Sequence, residues 1–75
     1  MQFFQPVENI SDFKNLDEGE ILCGYMDGIS GSPCTLSKVS RSYWHGWRNG
    51  LVDGGFTEQD DSQLRLEAQF SALPS

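Results

Sequence analysis

The chain carries one five-residue frame twice: GYMDG at Gly24–Gly28 and GWRNG at Gly46–Gly50. Each copy is glycine, aromatic, two spacers, glycine, and an aliphatic residue follows, Ile29 or Leu51. Glycine inside a helix costs up to about 1 kcal/mol relative to alanine. Glycines four apart share a helix face. Gly24 and Gly28 therefore make one smooth strip, and Gly46 and Gly50 make another. Such strips suit a tight crossing of two helices, within one chain or between two chains, or close approach to a ligand backbone such as RNA. Ordinary helix pairs sit about 8–10 Å apart, and only bare strips bring them closer. We assign the four glycines, with Tyr25, Tyr43 and Trp47 beside them, to helix crossing.

The surrounding residues place both frames on helices. Asn15 is the expected N-cap of the first, with Glu18 reaching back as a capping box. Asp17, Glu18 and Glu20 fall in the first turns, where the helix dipole favours acids. Ile21, Leu22, Tyr25, Met26 and Ile29 follow as one helical stripe, and Gly31 is a natural stop. This predicts a helix over about 16–30. A Ser-, Gly- and Pro-rich connector follows. A second helix is expected over about 38–53, starting near Ser37 or Ser40 and ending at Asp53–Gly55. Two helices with a short connector suggest an αα-hairpin. Upstream, Ile10, Phe13 and Leu16 are three apart and predict a short helical turn laid across it. Downstream, Gln63–Phe70 alternates polar and apolar as a strand does, yet it lacks β-branched residues and is rich in helix formers. Leu66, Phe70 and Leu73 share a helical face, so a third helix is expected. The expected fold class is all-α. Residues 1–75 make one domain, with the hairpin in 16–55 and an acidic extension in 56–75.

A chain of 75 residues buries only about 60–65% of its unfolded surface. So thin a core makes a deep substrate pocket hard to build, and no enzyme is expected. A homodimer is compatible with the bare glycine strips. Tyr43 and Trp47 share a helix face, while Trp44 lies about 100° away. Tyr43 and Trp47 are expected inside, and Trp44, Arg41, His45 and Arg48 nearer the surface. No apolar run reaches about 18 residues, so no membrane span is expected. The first residues show no basic head and no signal core, which points to the cytoplasm. Cys23 and Cys34 are expected as free thiols there. Cys23, Cys34 and His45 are each eleven residues apart, unlike the paired ligands of a zinc site. No metal, cofactor or catalytic residue is assigned.

Charge is unevenly placed within a net −6. Residues 1–27 hold six acids and one base, residues 28–52 hold three bases and no acid, and residues 53–75 hold five acids and one base. Acidic arms repel nucleic acid and suit a basic protein surface.

GYMDGISG (Gly24–Gly31), then Pro33 and Cys34, then RSYWHGWRNG (Arg41–Gly50) resemble the bacterial ribosome modulation factor family over residues 20–54. The resemblance implies two helices joined by a connector. It also implies binding to the small ribosomal subunit near the messenger channel, which silences translation. Ribosomal RNA would then meet Lys38, Arg41, His45 and Arg48, with stacking from Trp44. Members of that family are strongly basic, whereas this chain is acidic. The charge favours a different partner: a protein complex with a basic surface. Glu18, Glu20, Asp60 and Asp61 would contact it, with Trp44 as an exposed anchor. The expected role is that of a small phage or bacterial inhibitor of a larger machine, as anti-CRISPR proteins are.

Overall fold

The computed structural model describes residues 4–34 and 40–73. Among these, the chain forms four helices and no strand: α1 (Ile10–Phe13), α2 (Glu18–Ile29), α3 (Arg41–Asp53) and α4 (Asp61–Ser71). The fold is all-α. The alternating run near the C-terminus is helical, as its residue types favour.

Every helix starts on a side-chain cap. Asn9, Asp17, Ser40 and Asp60 accept from the backbone N–H of Asp12, Glu20, Tyr43 and Gln63. Each cap satisfies a donor that the first turn leaves open. Asp17, not Asn15, caps α2; the Asn15 amide turns back to the Ser11 carbonyl at 3.2 Å. The expected box with Glu18 therefore does not form. A capping box does open α4, where the Gln63 side chain accepts from the Asp60 N–H.

The two frame-bearing helices end alike. At α2, Gly31 has φ +76°, and the Ser32 N–H reaches the Asp27 carbonyl at 2.9 Å. At α3, Gly55 has φ +81°, and the Phe56 N–H reaches the Leu51 carbonyl at 2.8 Å. Both are left-handed glycine stops, which only glycine adopts without strain.

Direction is where expectation and structure part. Ile21 lies against Gly46, Tyr25 against Gly50 and Ile29 against Gly54. Numbers rise together, so α2 and α3 run parallel instead of forming an antiparallel hairpin. The chain returns the length of the pair between Ser30 and Ser40. A twelve-residue helix is about 18 Å long. Ten extended residues span up to about 33 Å, so even a short connector suffices. Trp47 fixes its beginning, donating Nε1–H to the Ser32 carbonyl at 2.8 Å.

α3 is the central element. α2 covers one side through the glycines. The N-terminal segment, α1 and α4 gather on the other. Val7, Trp44 and Leu66 are the buried apolar residues there. Phe4 packs on Trp44 with ring centroids 5.9 Å apart, and Phe13 lies edge-on to both His45 and Phe70. Gln69 ties α4 to the start of α1, accepting from the Ile10 N–H at 2.9 Å.

This arrangement reverses two expectations. Trp44 is only 4% exposed and His45 is buried with it, while Tyr43 and Trp47 are half-buried. The glycines, not the large rings, define α3's contact with α2, and the opposite face takes Trp44 inward. On α2, the Leu22–Met26–Ile29 row stays outside the core. Gly24 and Gly28 are its buried residues, and Leu22, Met26 and Ile29 are exposed.

Candidate interaction surfaces

The glycine strips meet backbone to backbone. A Cβ on Gly24 would lie 2.8 Å from the Trp47 nitrogen, and one on Gly50 2.7 Å from the Ile29 nitrogen. Cβ additions at Gly28 and Gly46 would strike the carbonyls of Trp47 and Ile21. Small residues four apart permit this approach, which recurs wherever helices need close contact without large side chains.

Reciprocal tyrosine clamps flank the strips. Tyr25 on α2 donates to Asp53 at the end of α3 at 2.6 Å, and Tyr43 on α3 donates to Asp27 on α2. Burial and the Asp27 bond push the Tyr43 phenol up to about 12. The bond to Asp53 raises Tyr25 as well. At the other end, the buried Ser42 hydroxyl accepts from the Asp17 N–H at 2.8 Å, and Ser40 donates to Glu20. Neither Ser42 nor Asp53 stands out in the sequence. A serine two residues before a tryptophan carries no signal until the helix direction is known.

The described arginines are committed to the chain's own acids. Arg41 forms a bidentate pair with Asp12, 2.6 Å at Nη1, and its Nε donates to the Gln5 carbonyl at 2.8 Å. That hydrogen bond holds the Asp12 carboxyl below its ordinary value. Arg48 pairs with Asp60 and lies over the Trp44 ring, 4.6 Å from its centroid. Burial lowers the Arg48 pKa. Arg65 pairs with Glu8. Lys38 falls outside the described residues.

The acids singled out from sequence have different duties. Asp60 is both helix cap and ion-pair partner, and Glu20 is tied to Ser40. Glu18 and Asp61 stand exposed in the first turns of α2 and α4. The two sets sit on helices that cover different sides of α3. Trp44, expected as an exposed anchor, is enclosed by Phe4 and Arg48.

His45 is held neutral. Desolvation, then Arg48 and Arg41, lower its pKa to about 4. Asn49 donates to the His45 carbonyl at 2.9 Å and approaches Nε2 at 3.3 Å, which suits a neutral ring accepting there. His45 borders a cleft of about 540 Å³ whose lining includes Phe13, Asn49, Gln63, Leu66 and Phe70. The Gln63 Nε2 is buried beside it without a partner among the described residues. Cys23 and Cys34 are free, and burial followed by Asp27 raises the Cys34 thiol away from reactivity. Among the described residues no cluster of His, Cys, Asp and Glu is placed to hold a metal ion, and no helix is long and apolar enough to cross a membrane.

Fold and surfaces together define a small helical domain built on a parallel, glycine-faced helix pair with acidic margins. No family model, curated protein or solved structure matches the chain.

Proposed function

We propose that the chain is a small non-catalytic regulatory protein, of the phage or bacterial inhibitor kind, that binds a basic nucleic-acid-binding protein within a larger host machine and blocks it. One observation carries this reading. Arg41, Arg48 and Arg65 are each spent on an internal carboxylate, so the outward charge of a net −6 molecule is acidic. Nucleic-acid affinity scales with the cations free to meet phosphates. An acidic surface instead competes for a groove that nucleic acid would fill.

The resemblance to ribosome modulation factor supplies a scaffold for this role. Its own function, binding to the small ribosomal subunit, is the second reading. That reading requires Arg41 and Arg48 to leave Asp12 and Asp60 for phosphates.

The two readings separate in a pull-down from host lysate, with and without nuclease, followed by identification of the captured protein. The expected result is a basic nucleic-acid-binding protein whose capture survives nuclease and weakens in Glu18→Gln/Asp61→Asn. Both residues are exposed, so the fold is retained. Recovery of small ribosomal subunits that nuclease abolishes would overturn the first reading in favour of the second.

A further inference from the structure

α2 has its two faces the wrong way round for a helix that ends at its own domain. Glycines lie against α3, while Leu22, Met26 and Ile29 face solvent at i, i+4 and i+7. At 100° per residue this stripe lies on the side of the helix opposite Gly24 and Gly28. Leu22 is 59% exposed and Met26 60%. Phe56 is exposed as well, and its ring sits over Gly31 and Gly54 where both helices end. An apolar row at helical spacing is the pattern by which helices are buried. Here nothing in the described chain buries it.

The charges around the row say what does. α2 holds no Lys or Arg; of its acids, Glu18 lies beside the row, while Glu20 and Asp27 turn toward Ser40 and Tyr43. Its C-terminal end adds the partial negative charge of the last carbonyls. A second copy docking α2 on α2 through this row would bring Glu18 against its counterpart or against that carbonyl end. Both alignments are repulsive. A helix with its own apolar row and flanking Lys or Arg meets favourable charge at both ends. Methionine at the centre adapts to varied side chains.

We infer that the Leu22–Met26–Ile29 face of α2 is a docking surface for a basic amphipathic helix of a partner protein. This rests on the reading of the chain as a binder of basic proteins and names the face that does it. Recognition combines apolar anchors at i, i+4 and i+7 with a salt-dependent charge contribution.

The probe is a synthetic peptide of about five helical turns with leucines on one face and lysines beside them. Two control peptides accompany it, one with the lysines replaced by glutamate and one with the leucines replaced by glutamine. Binding is read by calorimetry and by amide chemical shifts on the whole chain. The leucine–lysine peptide should bind, shift α2 resonances and weaken with salt. Met26→Lys should weaken it by about tenfold or more, with the circular dichroism spectrum unchanged. Tight binding of the leucine-free lysine peptide, with Met26→Lys silent, would overturn this docking face and leave the acidic-binder reading standing. Equal binding of the glutamate peptide through Met26 would overturn the basic partner, and the proposed function with it. A dimer in sedimentation that Met26→Lys dissociates would assign the face to a second copy and overturn the inference. So would shifts confined to the cleft between α3 and α4.

Discussion

α2 and α3 share a frame and differ in almost everything the frame does not touch. Both bury a Gly-x-x-x-Gly strip against the other, and both end on a left-handed glycine. α3 is then covered again on its far side, where Trp44 and His45 are buried. α2 is covered once, and only its glycines are buried. Close backbone contact can therefore hold a helix without using its side chains. That leaves α3 to build the core and α2 to present one face outward.

If this division is right, equal truncations of the two helices will have unequal effects. Trp44→Ala removes the largest buried ring and should cost about 3–5 kcal/mol in urea denaturation. Met26→Ala, on the exposed row, should stay within about 0.5 kcal/mol. A loss above 1 kcal/mol at Met26 would mean that the row is buried in solution.

The glycine contact can be sharpened the same way. Gly46→Ala gains helix propensity but pushes a Cβ into the Ile21 carbonyl, so it should lose about 2–3 kcal/mol. Gly19→Ala, on the same helix pair, meets only the Asp17 side chain at 3.3 Å and should be neutral or gain about 0.5 kcal/mol. Thermal melts of the two variants would show opposite shifts. Equal shifts would break the assignment of the frame to packing.

His45 gives the core side of α3 a pH signature that α2 lacks. Its pKa falls from 6.5 to about 4 on folding. The unfolded chain therefore binds a proton where the folded chain does not. Stability should be constant above pH 6.5 and fall by about 2–3 kcal/mol between pH 6.5 and 4. His45→Gln should remove that slope. Below pH 4 a second loss should follow, as Asp12, whose pKa is lowered by Arg41, takes up its proton and releases the ion pair.

How far the sequence already contained this picture depends on which forces were local. Helix existence, the cap at Ser40 and the glycine stops depend on a few neighbouring residues, so they were legible; the caps Asp17 and Asp60 were not singled out. Helix direction was not legible. An eleven-residue connector permits either sense, and the choice lies in distant partners such as Asp17 with Ser42 and Glu20 with Ser40. Trp44 was expected outward because periodicity identifies a face without saying what it meets. The arginines were legible as a basic centre. Their neutralisation by Asp12, Asp60 and Glu8 was not, since those acids lie far away in the chain.

The tyrosine clamps test the parallel pair at its smallest energy. Tyr43 donates to Asp27, and Tyr43→Phe should cost about 1 kcal/mol, because water can partly replace the lost bond. Folding raises the Tyr43 pKa above its ordinary 10 to about 12. Its contribution should therefore be complete below pH 10 and disappear as pH rises through 12, and the phenylalanine variant should lack that alkaline loss. Tyr25→Phe removes the matching bond to Asp53 in a more exposed place, so its effect should be smaller. Ser40 donates to Glu20 where the two helices begin, and in an antiparallel pair these residues would lie at opposite ends. Coupling between them in a Ser40→Ala/Glu20→Gln double-mutant cycle, readable as non-additive melting shifts, is expected only for the parallel arrangement.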